Sequence, residues 1–101
     1  MADSDILTIL KVDLQIAVNR LDEYLLALIQ SARRFITQEG ITLSDSMDDA
    51  VLVEMYAAYL YRRRREENAA MPRMLRYALN NRLLSEKGGQ NKGRTEQWIV
   101  S

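Results

Sequence analysis

The strongest constraint on the fold is a stretch of twelve residues, 50–61, in which every residue except Glu54 is hydrophobic. Aspartates crowd the residues before this stretch, and four consecutive arginines follow it. That order suits a helix, because anions stabilise a helix N-terminus and cations stabilise its C-terminus. A helix that is apolar on nearly every side has to be covered by neighbours. The stretch therefore predicts a central helix packed inside a bundle.

The serines before this stretch predict where the central helix begins. Ser44 or Ser46 is expected to cap it, because a serine hydroxyl accepts a hydrogen bond from a free N–H group of the first turn. We expect the core to include residues of this helix and of the helix before it: Leu25, Leu28, Leu52, Tyr56 and Leu60.

Hydrophobic residues at three-to-four spacing predict two helices in the first half of the chain. The first is short and has Ser4 as its N-cap, and residues 15–20 connect it to the second. The second helix covers residues 21–36 and ends at Gly40, which occupies the left-handed position that follows many helices.

A fourth helix is predicted to open at Pro72, whose fixed φ angle suits a first helical position. We expect it to stop at Gly88 and Gly89, which lower helix propensity. Its hydrophobic stripe includes Met74. The methionines Met47, Met55, Met71 and Met74 are expected to fill gaps in the core rather than to form a promiscuous binding surface. The predicted fold is all-α: a small bundle of about four helices over residues 1–87.

The last residues, 88–101, are polar and then end in Trp98, Ile99 and Val100. Glycines at the base and polar residues beyond them predict a flexible C-terminal arm with an apolar tip. Such a tip could fold back onto its own bundle. Alternatively, it could bind a partner, adding as a strand to a sheet edge of another protein or of a neighbouring subunit. We expect the second role, as a docking arm.

Composition limits the chemistry that this chain can perform. Cysteine and histidine are both absent, which excludes disulfides, cysteine-ligated zinc and a Ser-His-Asp triad. Fourteen basic and fourteen acidic residues cancel, so the chain as a whole has no attraction for nucleic acid or for an anionic membrane. No stretch approaches the ~20 apolar residues that a transmembrane helix needs, and the acidic N-terminus does not resemble a signal peptide.

Three acidic residues are candidates for acid–base or metal chemistry. Asp48 and Asp49 are adjacent and therefore point about 100° apart on a helix, which favours a role as partners of the helix dipole. Glu54 could be a buried catalytic carboxylate with a raised pKa. It could instead lie on a solvent-facing strip or pair with an arginine. No phosphate loop, metal-ligand spacing or nucleophile motif accompanies them. The sequence predicts a non-enzyme without catalytic residues, cofactor or metal.

The four arginines Arg62, Arg63, Arg64 and Arg65, hereafter the arginine block, are the strongest local signal for binding. Arginine can bind phosphate or the acidic surface of a partner protein. The block could instead only compensate the helix dipole and pair locally with Glu66, Glu67 and the aspartates. The fourth helix adds a polar side with Arg73, Arg76 and Asn80, a weak likeness to a DNA-recognition helix.

Two segments carry a resemblance to a known family. Residues 55–64, MYAAYLYRRR, and residues 71–82, MPRMLRYALNNR, resemble the head–tail connector (adaptor) family of long-tailed bacteriophages. The N-terminal half agrees, since residues 10–14, LKVDL, lead into a longer helix that ends ARRFI at residues 32–36. The similarity covers roughly residues 6–87.

This resemblance implies a structural role in the virion and no enzymatic activity. Members of the family are small helical proteins that bind the portal protein after DNA packaging. They assemble there into a homo-oligomeric ring, usually of twelve copies, which extends the DNA channel and receives the stopper or tail-completion protein. Packaged DNA would pass through the channel without sequence-specific binding, and no membrane is involved. The expected location is the head–tail junction of a particle assembled in the bacterial cytoplasm.

The sequence thus leaves two functions to compare. In the first, a virion structural protein contacts its partners through the arginine block and through Trp98, Ile99 and Val100. In the second, a small helical DNA-binding protein, such as a regulator or packaging accessory, uses the arginine block and the helix at residues 72–86. Salt-dependent binding to duplex DNA separates them, because a DNA reader releases counterions.

Overall fold

The computed structural model describes residues 2–90, and describes side chains as far as residue 86. Within these residues the chain forms helices and no strand. The helices are α1 (Asp3–Asp13), α2 (Asp22–Gln38), α3 (Met47–Arg65) and α4 (Arg73–Gln90). The all-α bundle predicted from the sequence is confirmed. None of these helices, over the described residues, is long and apolar enough to span a membrane.

Helix α3 is the centre of the bundle, as predicted. It packs against α1, α2 and α4, and most extensively against α2. Nine of its residues are buried, including Glu54. The expected core residues are all buried: Leu25, Leu28, Leu52, Tyr56 and Leu60. Because α3 has neighbours on several sides, its sequence carries no single apolar stripe.

Two of the predicted helix ends are confirmed. The Ser46 hydroxyl accepts a hydrogen bond of 3.2 Å from the backbone N–H of Asp49 and so caps α3. Gly40 follows α2 with a φ of 105°. That angle lies in the left-handed region, which favours glycine because it has no Cβ.

The ends of α1 and α4 correct the prediction. Helix α1 begins at Asp3 with Ala2 as its N-cap, so Ser4 lies inside the helix, where its carbonyl accepts a 3.1 Å hydrogen bond from Thr8. Helix α4 begins at Arg73, one residue after Pro72, whose carbonyl accepts the hydrogen bond of Arg76 N–H.

The predicted stop of α4 at residues 88–89 is also wrong, because the helix continues to Gln90. Glycine in a helix costs only about 1 kcal/mol relative to alanine and ends the helix only where it turns left-handed. Residues 91–101, which contain most of the predicted arm and its tip Trp98, Ile99 and Val100, lie outside the described residues. The tip was expected to add as a strand to a sheet edge of another protein or of a neighbouring copy. Residues 2–90 contain no strand, so these residues of a neighbouring copy provide no such edge.

A polar cluster fastens α4 to the start of α3. Asp49 is only 2% exposed and forms an ion pair with Arg82. It also accepts hydrogen bonds from the Ser44 N–H at 2.5 Å and from the Ser44 hydroxyl at 2.9 Å. Arg82 donates to the Thr42 carbonyl at 2.9 Å, and Glu86 accepts from the Thr42 N–H at 2.6 Å.

This cluster decides the charge of Asp49. Burial by itself would raise the pKa of its carboxyl group. The hydrogen bonds from Arg82 and Ser44 and the positive charge of Arg82 outweigh burial, so the pKa of Asp49 lies below its ordinary value. Asp49 is therefore ionised, and Arg82 is the group that compensates its charge.

Removing the compensating cation should destabilise the protein. We expect Arg82→Met to lower the free energy of unfolding by about 1.5–3 kcal/mol, because a buried carboxylate loses a charged hydrogen-bond partner. The measurement is urea denaturation at pH 7. Arg76→Met on the exposed side of the same helix is the matched control and should cost less than ~0.5 kcal/mol. Equal losses for the two variants would contradict the role given to Arg82.

Candidate partner-binding surface

The arginine block occupies the last turn of α3, as predicted. The helix continues through all four residues and ends at Arg65, and the C-cap residue Glu66 is extended. All four arginine side chains are exposed. Because α3 is held by three other helices, its C-terminal end presents these cations on a firmly packed element.

Aromatic rings hold two of the arginines. The Arg64 guanidinium carbon lies 5.9 Å from the centroid of the Tyr24 ring, and that of Arg65 lies 5.5 Å from the Tyr61 ring. Arg65 also donates a 3.4 Å hydrogen bond to the Tyr61 hydroxyl. Stacking of this kind positions a guanidinium group without neutralising its charge.

No member of the block forms an ion pair with a carboxylate among residues 2–86. The ion pairs of this part of the chain join Lys11 to Asp22, Arg33 to Asp3, and Arg82 to Asp49 and Glu86. The local pairing with Glu66, Glu67 and the aspartates, one of the alternatives from the sequence, is therefore wrong for these residues. The cationic charge of the block is available to a partner.

The polar side predicted for α4 is exposed, but it is not purely polar. Arg73, Arg76 and Asn80 are exposed, and so are Met74 at 74% and Tyr77 at 57%. The expectation that Met74 fills the core is wrong. Helix α4 contacts the bundle through a narrow line that contains the buried Leu75 and Leu79, and Met74 lies about 100° away from Leu75.

The other methionines divide in the same way. Met47 is 63% exposed at the start of α3, so its expected place in the core is also wrong, whereas Met55 and Met71 pack against the core as predicted. Met47 precedes the part of α3 that the other helices cover. Its exposure follows from its position at the helix start.

Glu54 is buried and has a raised pKa, which is the environment that the first of its predicted roles requires and not evidence of catalysis. It is 6% exposed, which rules out a solvent-facing strip. Burial raises its pKa to about 8, the neighbouring carboxyl group of Asp13 acts in the same sense, and the charge of Arg62 acts in the opposite sense. Burial beside a second carboxyl group makes ionisation of Glu54 costly, so Glu54 keeps its proton at neutral pH.

Asp13 could not have been connected to Glu54 from the sequence. It is the last residue of α1, far from Glu54 along the chain, and the two meet only because α1 packs against α3.

The adjacent residues Asp48 and Asp49 have different environments. Asp48 is exposed in the first turn of α3, as its dipole role requires, whereas Asp49 is buried with Arg82. Within the described residues, no three acidic side chains converge to hold a metal ion.

Comparisons of the chain with protein-family models, with curated proteins and with solved structures found no match.

The raised pKa of Glu54 predicts an unusual dependence of stability on pH. Between an unfolded value of about 4.5 and a folded value of about 8, the folded chain holds a proton that the unfolded chain has lost. Stability should therefore fall as the pH rises through this window, by at most about 1.4 kcal/mol per pH unit, and level off above it. Denaturation by urea at several pH values measures the slope.

Glu54→Gln is the informative variant for this slope. Glutamine has the shape of protonated glutamic acid and does not titrate, so the decline between pH 5 and 8 should largely disappear. Glu23→Gln, at an exposed position of α2, is the matched control and should retain the slope of the unaltered chain. A slope that persists in Glu54→Gln would assign the titration to another group.

Proposed function

We propose that this chain is a structural subunit of the head–tail junction of a long-tailed bacteriophage. Copies of it form a ring, usually of twelve, on the portal protein. The ring extends the DNA channel and receives the stopper or tail-completion protein. Its activity is binding to proteins, without catalysis, and its place is the virion, assembled in the host cytoplasm.

The observation that carries this proposal is the state of the arginine block. Its four cations are exposed, have no carboxylate partner among residues 2–86, and stand on the helix that the rest of the bundle holds in place. Successive residues of a helix point about 100° apart, so the block faces several directions. A subunit with partners on several sides, such as a ring member seated on a portal, can use all of these directions.

The resemblance to the connector family supports the same proposal. Residues 55–64 form the second half of α3, which includes part of the arginine block, and most of residues 71–82 form the first half of α4. The helix order also agrees with the family, since the short α1 precedes the longer α2 and an exposed connection. Ring assembly requires head-to-tail surfaces that differ from each other, and the charged ends of α3 supply opposite charges at opposite ends.

The balanced charge of the chain fits a channel through which DNA passes. Fourteen basic and fourteen acidic residues give a net charge of zero. A strongly basic ring would retain DNA through counterion release, whereas a neutral one lets it slide. Trp98, Ile99 and Val100 remain predicted partner contacts.

One observation favours a second candidate, a small DNA-binding protein. Arg73, Arg76 and Asn80 are exposed on α4, and the arginine block precedes this helix along the chain. The polar groups could contact phosphates and base edges. The exposed Met74 and Tyr77 on the same helix fit a protein partner better, which is why we place this function second.

The proposal predicts a defect in assembly without a defect in folding. Arg63→Gln/Arg64→Gln should shift the melting temperature by little, because both side chains are exposed and the contact of Arg64 with the Tyr24 ring is worth about 0.5–1 kcal/mol at an exposed site. In a phage that encodes this chain, deletion of the gene should give DNA-filled heads without tails by electron microscopy. The unaltered gene should restore tailed particles, and the double variant should not.

Arg20→Gln/Arg34→Gln is the matched control, since both residues are exposed arginines outside the block. It should restore tailed particles. Normal tailed particles from the Arg63/Arg64 variant, or tailed particles after gene deletion, would contradict the proposal. Tight binding of the purified protein to duplex DNA with a steep salt dependence, lost in Arg73→Gln/Arg76→Gln, would favour the second candidate.

A further inference from the structure

An open groove lies between α1, α3 and the start of α4. It has a volume of about 600 Å³. Ile9 and Val12 line it from α1, Glu54 and Met55 line it from α3, and Met74 lines it from α4. Because the groove is open to solvent, a partner reaches it without separating the helices.

The walls of the groove are apolar and exposed. Val12 is 76% exposed, Met74 is 74% exposed, and Ile9 is 37% exposed. None of the other large hydrophobic side chains in the described part of the chain is more exposed than Val12 and Met74. Single exposed hydrophobic residues are ordinary on a protein surface, but three of them around one groove suit an apolar group of a partner.

The floor of the groove contains a hydrogen-bond acceptor that is not used. Glu54 is buried, and its Oε2 atom has no hydrogen-bond partner among the described residues. Leaving a buried acceptor without a donor costs free energy. The last torsion of a glutamate side chain is broad, so a small rotation turns either carboxyl oxygen towards the groove. Glu54 is therefore able to accept a hydrogen bond from an occupant.

The other polar side chains of the groove also lack a hydrogen to donate into it. They are Asp13, whose negative charge acts on Glu54, and Thr8. The proton of Glu54 serves the hydrogen bond between the two carboxyl groups, and the Thr8 hydroxyl donates to the Ser4 carbonyl. The groove thus requires donors from its occupant, and the negative charge of Asp13 favours donors that carry a positive charge.

Arg62 does not supply this cation from within the chain. Its charge acts on Glu54, and it lines an adjoining pocket together with Asp13. However, its side chain is exposed, and none of the ion pairs of residues 2–86 includes it. Solvent screens an exposed charge of this kind, so Arg62 weakens the attraction of the groove for a cation without removing it.

An occupant has to combine a cationic donor with an apolar group. The openness of the groove favours a protein segment over a free small molecule, since small-molecule pockets bury most of the surface of their ligand. We propose that the groove binds a segment of a partner protein in which a lysine or arginine side chain stands beside an apolar side chain. The cation donates hydrogen bonds to Glu54 and Asp13, and the apolar side chain packs against Val12 and Met74.

This surface binds a cation, whereas the arginine block binds anionic groups. The inference therefore goes beyond the proposed function and does not depend on it. The chemistry of the groove is measured on the isolated full-length protein, so a failure there leaves the arginine block untouched, and tail assembly that survives changes in the block leaves the groove untouched.

Hexylammonium, an ammonium group on an apolar chain, is the probe for this chemistry. It is titrated into the protein at pH 6 while the methyl signals of Val12 and Met74 are followed by NMR. Two controls separate its properties: 1-hexanol has a donor without charge, and hexyltrimethylammonium has charge without an N–H group. Each should bind about tenfold more weakly, because a hydrogen bond between charged groups exceeds a neutral one by about 1–1.5 kcal/mol.

Variants of the acidic side assign the binding to particular residues. Asp13→Asn should weaken hexylammonium about fivefold and leave 1-hexanol unchanged, because it removes the negative charge and keeps the shape. Asp5→Asn, at an exposed position of the same helix, is the matched control and should change neither. Arg62→Gln should strengthen hexylammonium about twofold, because a competing positive charge is lost.

The dependence on pH identifies Glu54. An ammonium ion favours the ionised carboxylate, so affinity for hexylammonium should rise from pH 6 to pH 9, about tenfold for each unit by which the probe lowers the pKa of Glu54. Asp13 on α1 and Arg62 on α3 are the charged groups facing Glu54; α4 contributes the uncharged Met74, and α2 does not line the groove. Glu54→Gln should abolish the rise, and Glu23→Gln on the exposed side of α2 should retain it.

Photo-crosslinking identifies the source of the cation. Benzoylphenylalanine is placed at Val12 in cells that naturally make the chain, and the cross-linked peptides are sequenced by mass spectrometry. We expect a segment of a different protein with a lysine or arginine within about one helical turn of the cross-linked residue. Replacing that basic residue by glutamine should abolish the cross-link. The same probe at Val18, which is 48% exposed and does not line the groove, should not capture this segment.

Several results would overturn the proposal. Hexylammonium that binds no better than 1-hexanol, or that is unaffected by Asp13→Asn, would show that the groove does not select a cation. Cross-links to a second copy, to the same chain or to a segment without a basic residue would identify a different occupant. A cross-link that survives replacement of the basic residue would remove the ionic contact.

Discussion

The burial of α3 on several sides is the constraint on which the rest of the structure depends. Nine of its residues are buried, and α1, α2 and α4 each reach the core by packing against it. Hydrophobic burial contributes most of the favourable free energy of a small domain. The other helices therefore need only one apolar side each, which leaves their remaining surfaces and both ends of α3 available for charge.

Two buried carboxyl groups on α3 have opposite protonation states at neutral pH. Asp49 is ionised because Arg82 and Ser44 donate to it. Glu54 receives no such donor, and burial together with Asp13 raises its pKa to about 8. The first acid fastens α4 to α3 and is satisfied within the chain. The Glu54 carboxyl group keeps an oxygen without a hydrogen-bond partner among the described residues, and it lines an open groove between α1 and α3. Glu54 is therefore the better indicator of a binding site.

The two surfaces of interest differ in chemistry. The arginine block offers cations held on tyrosine rings, and it forms none of the ion pairs of residues 2–86. An open groove between α1 and α3, lined in part by Val12, Glu54 and Met74, is mainly apolar, and Glu54 is largely protonated there at neutral pH because its pKa is about 8. A chain with zero net charge thus carries a concentrated positive charge at one place, which suits contact with an acidic partner.

The sequence by itself determined the helices, a cap on α3 from either Ser44 or Ser46, the left-handed Gly40, the central place of α3 and the position of the arginine block. These follow from local periodicity and end chemistry, which act over a few residues. Only the tertiary structure decided that Asp13 meets Glu54, that Arg82 meets Asp49 and that Met74 is exposed. Those outcomes depend on how α1 and α4 pack on α3, and helical periodicity fixes the apolar side of a helix without fixing which residues of another helix lie opposite it.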